Sequence, residues 1–322
     1  MRTMELADWC SSSRVIIVAG KGGVGKTTTA ATLAVAAARA GRSVLLVELE
    51  GKSGLPSMFG FESISGEREV YPGVTILPLA ADEALLEYLE DHGLKRMSKR
   101  LVQSGVLDIL ATAVPGMREI LVLGRVKALQ RDRAADVIVV DGPAAGHAVT
   151  FLLSPKGLLD AVRVGPVLTQ AVEVTEMLAD PERAQVVLVT LPEETPVNET
   201  AETAEALVDR VGLTLGPLVV NGLYPDRPLA GLTSPEEIRA LAREAGSGAA
   251  VPDDQVEHLA RAARFLTRRR RLQEAQLARL ADRLDLPSVA LPFLFASDIG
   301  RAELEILSQA LTAGFNALPV GA

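Results

Sequence analysis

The run Gly20-Lys21-Gly22-Gly23-Val24-Gly25-Lys26-Thr27-Thr28 has the residue types that polyphosphate chemistry needs, at the spacing G-x-x-x-x-G-K-[ST]. Glycines let the backbone curl so that successive amides face phosphate oxygens, and a helix beginning at the end of the run adds positive potential. That spacing aims Lys26 at the β- and γ-phosphates and the Thr27 hydroxyl at a magnesium ion. The chemistry predicted is binding of ATP or ADP with Mg2+ and hydrolysis of the phosphoanhydride. Lys21 is an extra cation that the ordinary pattern does not require.

Phosphoryl transfer to water also needs charge neutralisation and a group that orients the attacking water. Glu48 and Glu50 close an apolar run two residues apart, so in an extended chain both face one side and spacing does not choose between them. Asp141 ends the apolar run Asp136-Val-Ile-Val-Val-Asp141 and precedes Gly142-Pro143-Ala144-Ala145-Gly146-His147. A carboxylate there can hold magnesium through its waters, and a glycine-bearing loop can sense the γ-phosphate through a backbone amide. His147 is read as a stabiliser of that loop rather than an acid–base group.

The elements that must position these groups follow from the hydrophobic pattern. Arg14-Val-Ile-Ile-Val-Ala19 is a β-branched run ending in glycines, and Lys26 to Ala40 is Ala-rich with no breaker until Gly41, so strand, loop and helix come in the required order. Further strands are predicted at 43–48, 73–78, 136–141, 185–190, 215–221 and 288–291, an alternation that specifies a doubly wound, mostly parallel α/β sheet. Between Asp82 and Lys127 the β pattern gives way to helical spacing, with Leu85, Leu86, Leu89, Leu101, Val106, Leu107 and Leu110 as its apolar positions. The expected organisation is a nucleotide-binding core in two parts, residues 1–79 and 132–322, interrupted by a helical insertion at 80–131. Asp254 to Leu284 reads as one long amphipathic helix.

Composition limits the function classes. Of 322 residues, 48% are hydrophobic and only 3% aromatic, which gives a core of Ala, Val, Leu and Ile. A net charge of −8 argues against bulk nucleic-acid binding, which needs clustered Lys and Arg. The single cysteine, Cys10, excludes an intrachain disulfide and a multi-cysteine metal site in one chain. Residues 1–14 lack the apolar core of a secretory signal, and the apolar runs are too short or too charged to cross a bilayer. The expected location is the cytoplasm, with peripheral contact to a membrane left open.

The loop KGGVGKT resembles the deviant Walker motif shared by MinD/ParA proteins, nitrogenase iron proteins and arsenite-pump ATPases. The string Asp141 to His147 is similar to the Asp-Thr-Ala-Pro-Thr-Gly-His signature of the arsenite-pump (ArsA-type) and tail-anchored-protein-targeting ATPases, with Asp141, Gly146 and His147 matching. Pro115-Gly116-Met117-Arg118-Glu119, Leu191-Pro192-Glu193 with Glu199-Thr200, Val219-Val220-Asn221 and Arg270-Arg271-Leu272-Gln273 also have counterparts there. The resemblance covers most of the chain. It implies that Lys21 reaches the nucleotide of a facing subunit, and therefore a homodimer, or a heterodimer with a related subunit, enclosing two ATP molecules. Alignment through Leu55 and Phe59 puts Glu50 in the water-orienting position, where the family has aspartate. The resemblance further implies that Asn221 contacts adenine and that the loop beginning at Pro292 closes over the base.

The chain also departs from that family. Without the cysteines of the metalloid site or the zinc-bridging Cys-x-x-Cys pair, neither arsenite nor zinc is an expected ligand. The first reading is a dimeric Mg-dependent ATPase switch that handles a protein or membrane-associated client. The alternative, a MinD/ParA-type positioning ATPase, would want a basic terminal amphipathic helix, and Leu311 to Ala322 contains no Lys or Arg. A small-molecule kinase or ligase of the same superfamily would need a substrate pocket that no motif announces.

Overall fold

The computed structural model describes residues 4–12, 15–49, 54–91, 115–163, 165–225, 234–244 and 252–319. The short apolar runs become strands: β1 (Val15–Gly20), β2 (Val44–Leu49), β3 (Arg68–Tyr71), β4 (Val74–Leu79), β5 (Val137–Ala144), β6 (Ala184–Thr190), β7 (Leu218–Leu223) and β8 (Ser288–Pro292). They form one eight-stranded sheet in the order β3-β4-β2-β5-β1-β6-β7-β8. Every pairing is parallel except β3 with β4. All six residues of β1 and of β2 are buried, the mark of parallel strands covered on both faces. Edge strand β3 has no counterpart among the expected strands, being four residues long with an exposed, charged start.

Helices cover both faces and divide the core in two. On one face, α1 (Leu6–Ser12), α2 (Lys26–Arg39), α3 (Leu55–Met58) and α11 (Arg301–Ala317) pack on Ile16, Val18, Leu46 and Val139. On the other, Ile17, Val47 and Val140 meet α4 (Ala81–Asp91), α5 (Met117–Arg131), α6 (Ala145–Ala161), α7 (Pro166–Ala179) and α8 (Glu194–Ala206). The two-residue alternation of a strand explains the division, since neighbouring side chains point to opposite faces. The remaining described helices are a π-helical turn (Leu207–Val211) that follows α8, then α9 (Pro235–Glu244) and α10 (Asp253–Arg283), the last within a residue of the amphipathic helix expected from its charge pattern.

The described parts of the helical insertion, α4 and α5, share one continuous core with the sheet through Leu85, Ile120 and Leu123, while Leu101, Val106, Leu107 and Leu110 lie outside the described residues. The segment 142–147 is not a loop: β5 runs on to Ala144 and α6 begins at Ala145. Its Gly and Pro residues suggested a break, but pairing with β1 continues from Val18–Asp141 to Gly20–Ala144 across a register shift. Among the described residues no helix is long and apolar enough to cross a membrane.

Residues 4–12 are integral to the fold. Trp9 lies 4.9 Å from the Phe315 ring and donates from Nε1 to Gln185 Oε1 at 3.0 Å. Beside it the buried Cys10 thiol is pushed up to about 12 by burial, with the Arg42 charge opposing weakly. A folded value above the ordinary 9.0 gives a stabilising contribution that is complete below that pH and lost as pH rises toward 12. Cys10 is therefore expected to resist alkylation at pH 8 in the native protein and to react on denaturation, as mass spectrometry after brief iodoacetamide treatment would read.

A second prediction concerns α11 on β8. A Cβ at Gly314 would sit 2.3 Å from Val289 Cγ1. Gly314→Ala gains about 1 kcal/mol of helix propensity, but overpacking a tight contact costs about 1–3 kcal/mol. Overpacking outweighs propensity, so thermal denaturation of Gly314→Ala should show a lower midpoint than the parent.

Candidate functional site

From β1 the crossovers place β2, β4 and β5 on one side and β6, β7 and β8 on the other, so the crevice at the carboxyl ends of a doubly wound sheet opens beside β1. The glycine-rich loop lies there, between the end of β1 and the start of α2. At Gly20 a Cβ would fall 2.4 Å from the Val189 carbonyl oxygen, so only glycine lets the strand leave the sheet against β6. Gly25 has φ +90° and caps α2, where a Cβ would meet Asn221 Nδ2 at 2.1 Å. These two glycines bring the backbone where its amides can face an anion.

The loop's side chains are held by neighbours. Lys26 is buried, and its ammonium donates to the Lys21 carbonyl at 2.8 Å, spanning the loop. Asn221, at the end of β7, donates from Nδ2 to the Val24 carbonyl at 2.9 Å. The Thr27 hydroxyl donates to Asp141 Oδ2 at 2.8 Å, joining the first turn of α2 to β5. Lys21 is half-exposed and paired with Glu199 on α8. Thr28 is partly buried in the same first helical turn.

Strand parity then places the carboxylates. Val137 and Val139 of β5 and Val44 and Leu46 of β2 face the α2 side, so Asp141 and Glu48, two residues further, face it too. The two are register partners on adjacent strands, and both are buried. Hard oxygen donors from Thr27, Asp141 and Glu48 thus converge beside the phosphate loop, the donor set that magnesium takes. Glu50 lies outside the described residues. Pro292 ends β8 beside Leu223 of β7, and Phe293 N donates to the Leu223 carbonyl at 2.8 Å, so Asn221 and Pro292 come from adjacent strand ends. His147 is exposed in the first turn of α6.

Residues 13–164 match the family described as Anion-transporting ATPase. The chain is 31% identical to "ATPase BagA" of Mycobacterium tuberculosis over 94% of this chain and 93% of that protein. The chain belongs to the ArsA/Get3 family of anion-transporting ATPases. Similarity also extends to "ATPase get3" of Schizosaccharomyces japonicus, 30% identical over 50% of this chain and 52% of that one. A "Putative arsenical pump-driving ATPase" of Halobacterium salinarum is 29% identical over 66% of this chain and 36% of its own length. The family's class of enzyme is ATP hydrolase.

Within this ArsA/Get3 chain, the loop, Asp141, Glu48 and Asn221, all singled out from sequence, lie at one end of the sheet, while the contacts that hold them there were not singled out. The Lys21–Glu199 pair joins residues 178 positions apart, and no local pattern announces such a pairing. Gln273 on α10 is buried and bonds the backbone just beyond Asn221. Its signal was available, because a glutamine on the apolar stripe of an amphipathic helix needs a polar partner.

The Thr27–Asp141 contact generates a test. Thr27→Ser keeps a hydroxyl, whereas Thr27→Val keeps the shape and removes the oxygen. ATPase assays should find Thr27→Ser close to the parent and Thr27→Val reduced by about 100-fold or more, the scale of losing an electrostatic stabiliser of the transition state.

Proposed function

We propose that this chain is a magnesium-dependent ATPase switch that works as a dimer of like or related subunits and couples the nucleotide to the handling of a protein or membrane-associated client. The observation that carries the reading is the convergence of Lys26, Thr27, Asp141 and Glu48 at one end of the sheet, on the face of α2. Thr27 and Asp141 would hold the metal, which when bound supplies positive charge to the β- and γ-phosphate oxygens. Lys26 exchanges the Lys21 carbonyl for those oxygens when a triphosphate enters. Glu48, buried beside Asp141, adds the negative potential that favours a cation there.

Hydrolysis needs a water held in line with the γ-phosphate. Glu50 is assigned that task by its place in the family alignment, and Glu48 stays within β2 as a support of the cation site. Adenine is assigned to the corner between Asn221 and Pro292, where the ends of β7 and β8 lie side by side. Lys21, tied to Glu199 within one chain, is assigned to the phosphates of the facing subunit, which requires it to exchange partners as the dimer closes. The name of the Halobacterium relative, a pump-driving ATPase, supports a turnover that is coupled to a partner. γ-Phosphate contacts order the switch segments and hydrolysis releases them, which gives the client two states to meet.

Two measurements separate these assignments. Glu50→Gln is expected to lower kcat by about 100-fold or more while ATP affinity stays within a few-fold, and Glu48→Gln to weaken the magnesium dependence instead. Equal turnover in Glu50→Gln and the parent would remove the water-orienting role. Lys21→Ala should abolish the ATP-induced rise in molar mass seen by light scattering; an unchanged rise would remove the proposed role of Lys21 across the interface.

A further inference from the structure

At the end of β7 the chain leaves the regular ladder: pairing with β8 shifts register between Val220 and Leu223, and Gly222 has φ +72°. The backbone groups freed there are taken by one side chain. Gln273, 5% exposed and in the middle of α10, donates from Nε2 to the Gly222 carbonyl at 3.0 Å and accepts from Tyr224 N–H at 2.9 Å. One partner is a donor and the other an acceptor, so the amide has a single orientation that satisfies both.

Two neighbours reinforce the grip. Arg270 donates to the Tyr224 carbonyl, and the Arg269 guanidinium lies 5.8 Å from the Tyr224 ring centroid. Tyr224 in turn stacks on Phe293 with centroids 4.8 Å apart and planes 3° from parallel. Phe293 follows Pro292 directly and Tyr224 lies three residues beyond Asn221, so the clamp on Gly222 and Tyr224 ties the ends of β7 and β8 together. Asn221 carries the linkage to the phosphate loop through Val24.

We propose that Gln273 is a positioning residue for the nucleotide base: it never touches the ligand but fixes the corner formed by Asn221 and Pro292, and with it the preference for adenine. The inference rests on the reading that this corner takes the base. Lys26, Thr27 and Asp141 make contacts of their own, to the Lys21 carbonyl and between Thr27 and Asp141, that do not pass through the clamp. Its loss therefore falls on KM and base preference more than on kcat. A merely structural glutamine would change stability and leave both untouched.

The test compares Gln273→Met, which removes both bonds, with Gln273→Glu, which keeps the acceptor for Tyr224 N–H and sets an oxygen against the Gly222 carbonyl. Steady-state hydrolysis of MgATP and MgGTP by the full chain, with Asn221→Ala in parallel, gives kcat, KM and the ATP/GTP ratio of kcat/KM. Gln273→Met is expected to raise KM for ATP about tenfold, by more than it lowers kcat, and to reduce the ATP/GTP ratio. Relative to the parent, Gln273→Glu should recover as pH falls, because a protonated carboxyl regains the donor. If Asn221→Ala lowers the ATP/GTP ratio while folded Gln273→Met leaves it and KM unchanged, the positioning role is wrong and the base corner stands. If neither variant moves the ratio, both fall. Should Gln273→Met not fold, the Gln273→Glu series decides: no relative recovery at lower pH overturns the proposal.

Discussion

One hydrogen bond, from the Thr27 hydroxyl to the Asp141 carboxylate, joins the first turn of α2 to β5 and holds the two halves of the proposed cation site together. It depends on strand parity, which turns Asp141 and Glu48 toward α2, and on Gly20, whose missing side chain lets β1 hand the chain to the loop against β6. Asp141 is fully buried, so its oxygens must find their partners among the surrounding groups rather than in water. A carboxylate pair on adjacent strand ends would repel if isolated; a phosphate loop bearing Lys26 and a hydroxyl donor is the environment in which such a pair is useful.

The same sheet that makes this site also limits what moves. β1, β2 and β5 are buried on both faces, and most of α2 is buried through Ala, Thr, Leu and Val, so the floor beneath the phosphate loop is closely packed. The tethers at its rim are different in kind: Lys21 to Glu199, Asn221 to Val24 and Gln273 to the end of β7 are polar contacts between separate elements. The Lys21 and Asn221 contacts can be exchanged for ligand contacts without disturbing the core, whereas Gln273 holds backbone only. A closely packed floor with exchangeable rim contacts is what a nucleotide-driven switch requires.

Much of this was legible in the residues themselves. The central strands show as short β-branched runs because both their faces are buried, and the loop shows because its glycines and Lys26-Thr27 have few other uses at that spacing. The α10 helix was plain from its charge pattern. What escaped was non-local: β3 carries charge on an exposed edge, and the partners of Lys21 and Gln273 lie far away in sequence. The segment after Asp141 misled for a physical reason, since Gly142 and Pro143 suggest a break in sequence while the close approach of Gly142 to Val18 lets β5 continue beside β1.

The proposed function centres on a metal-assisted cradle for a triphosphate, built from Lys26, Thr27 and Asp141. Isothermal titration calorimetry of the full chain with ATP, in excess magnesium and again in EDTA, tests it directly. Saturable uptake of ATP is expected, markedly tighter with magnesium, with the magnesium enhancement lost in Asp141→Asn. No detectable uptake by the folded protein, or the same affinity with and without the metal, would contradict it.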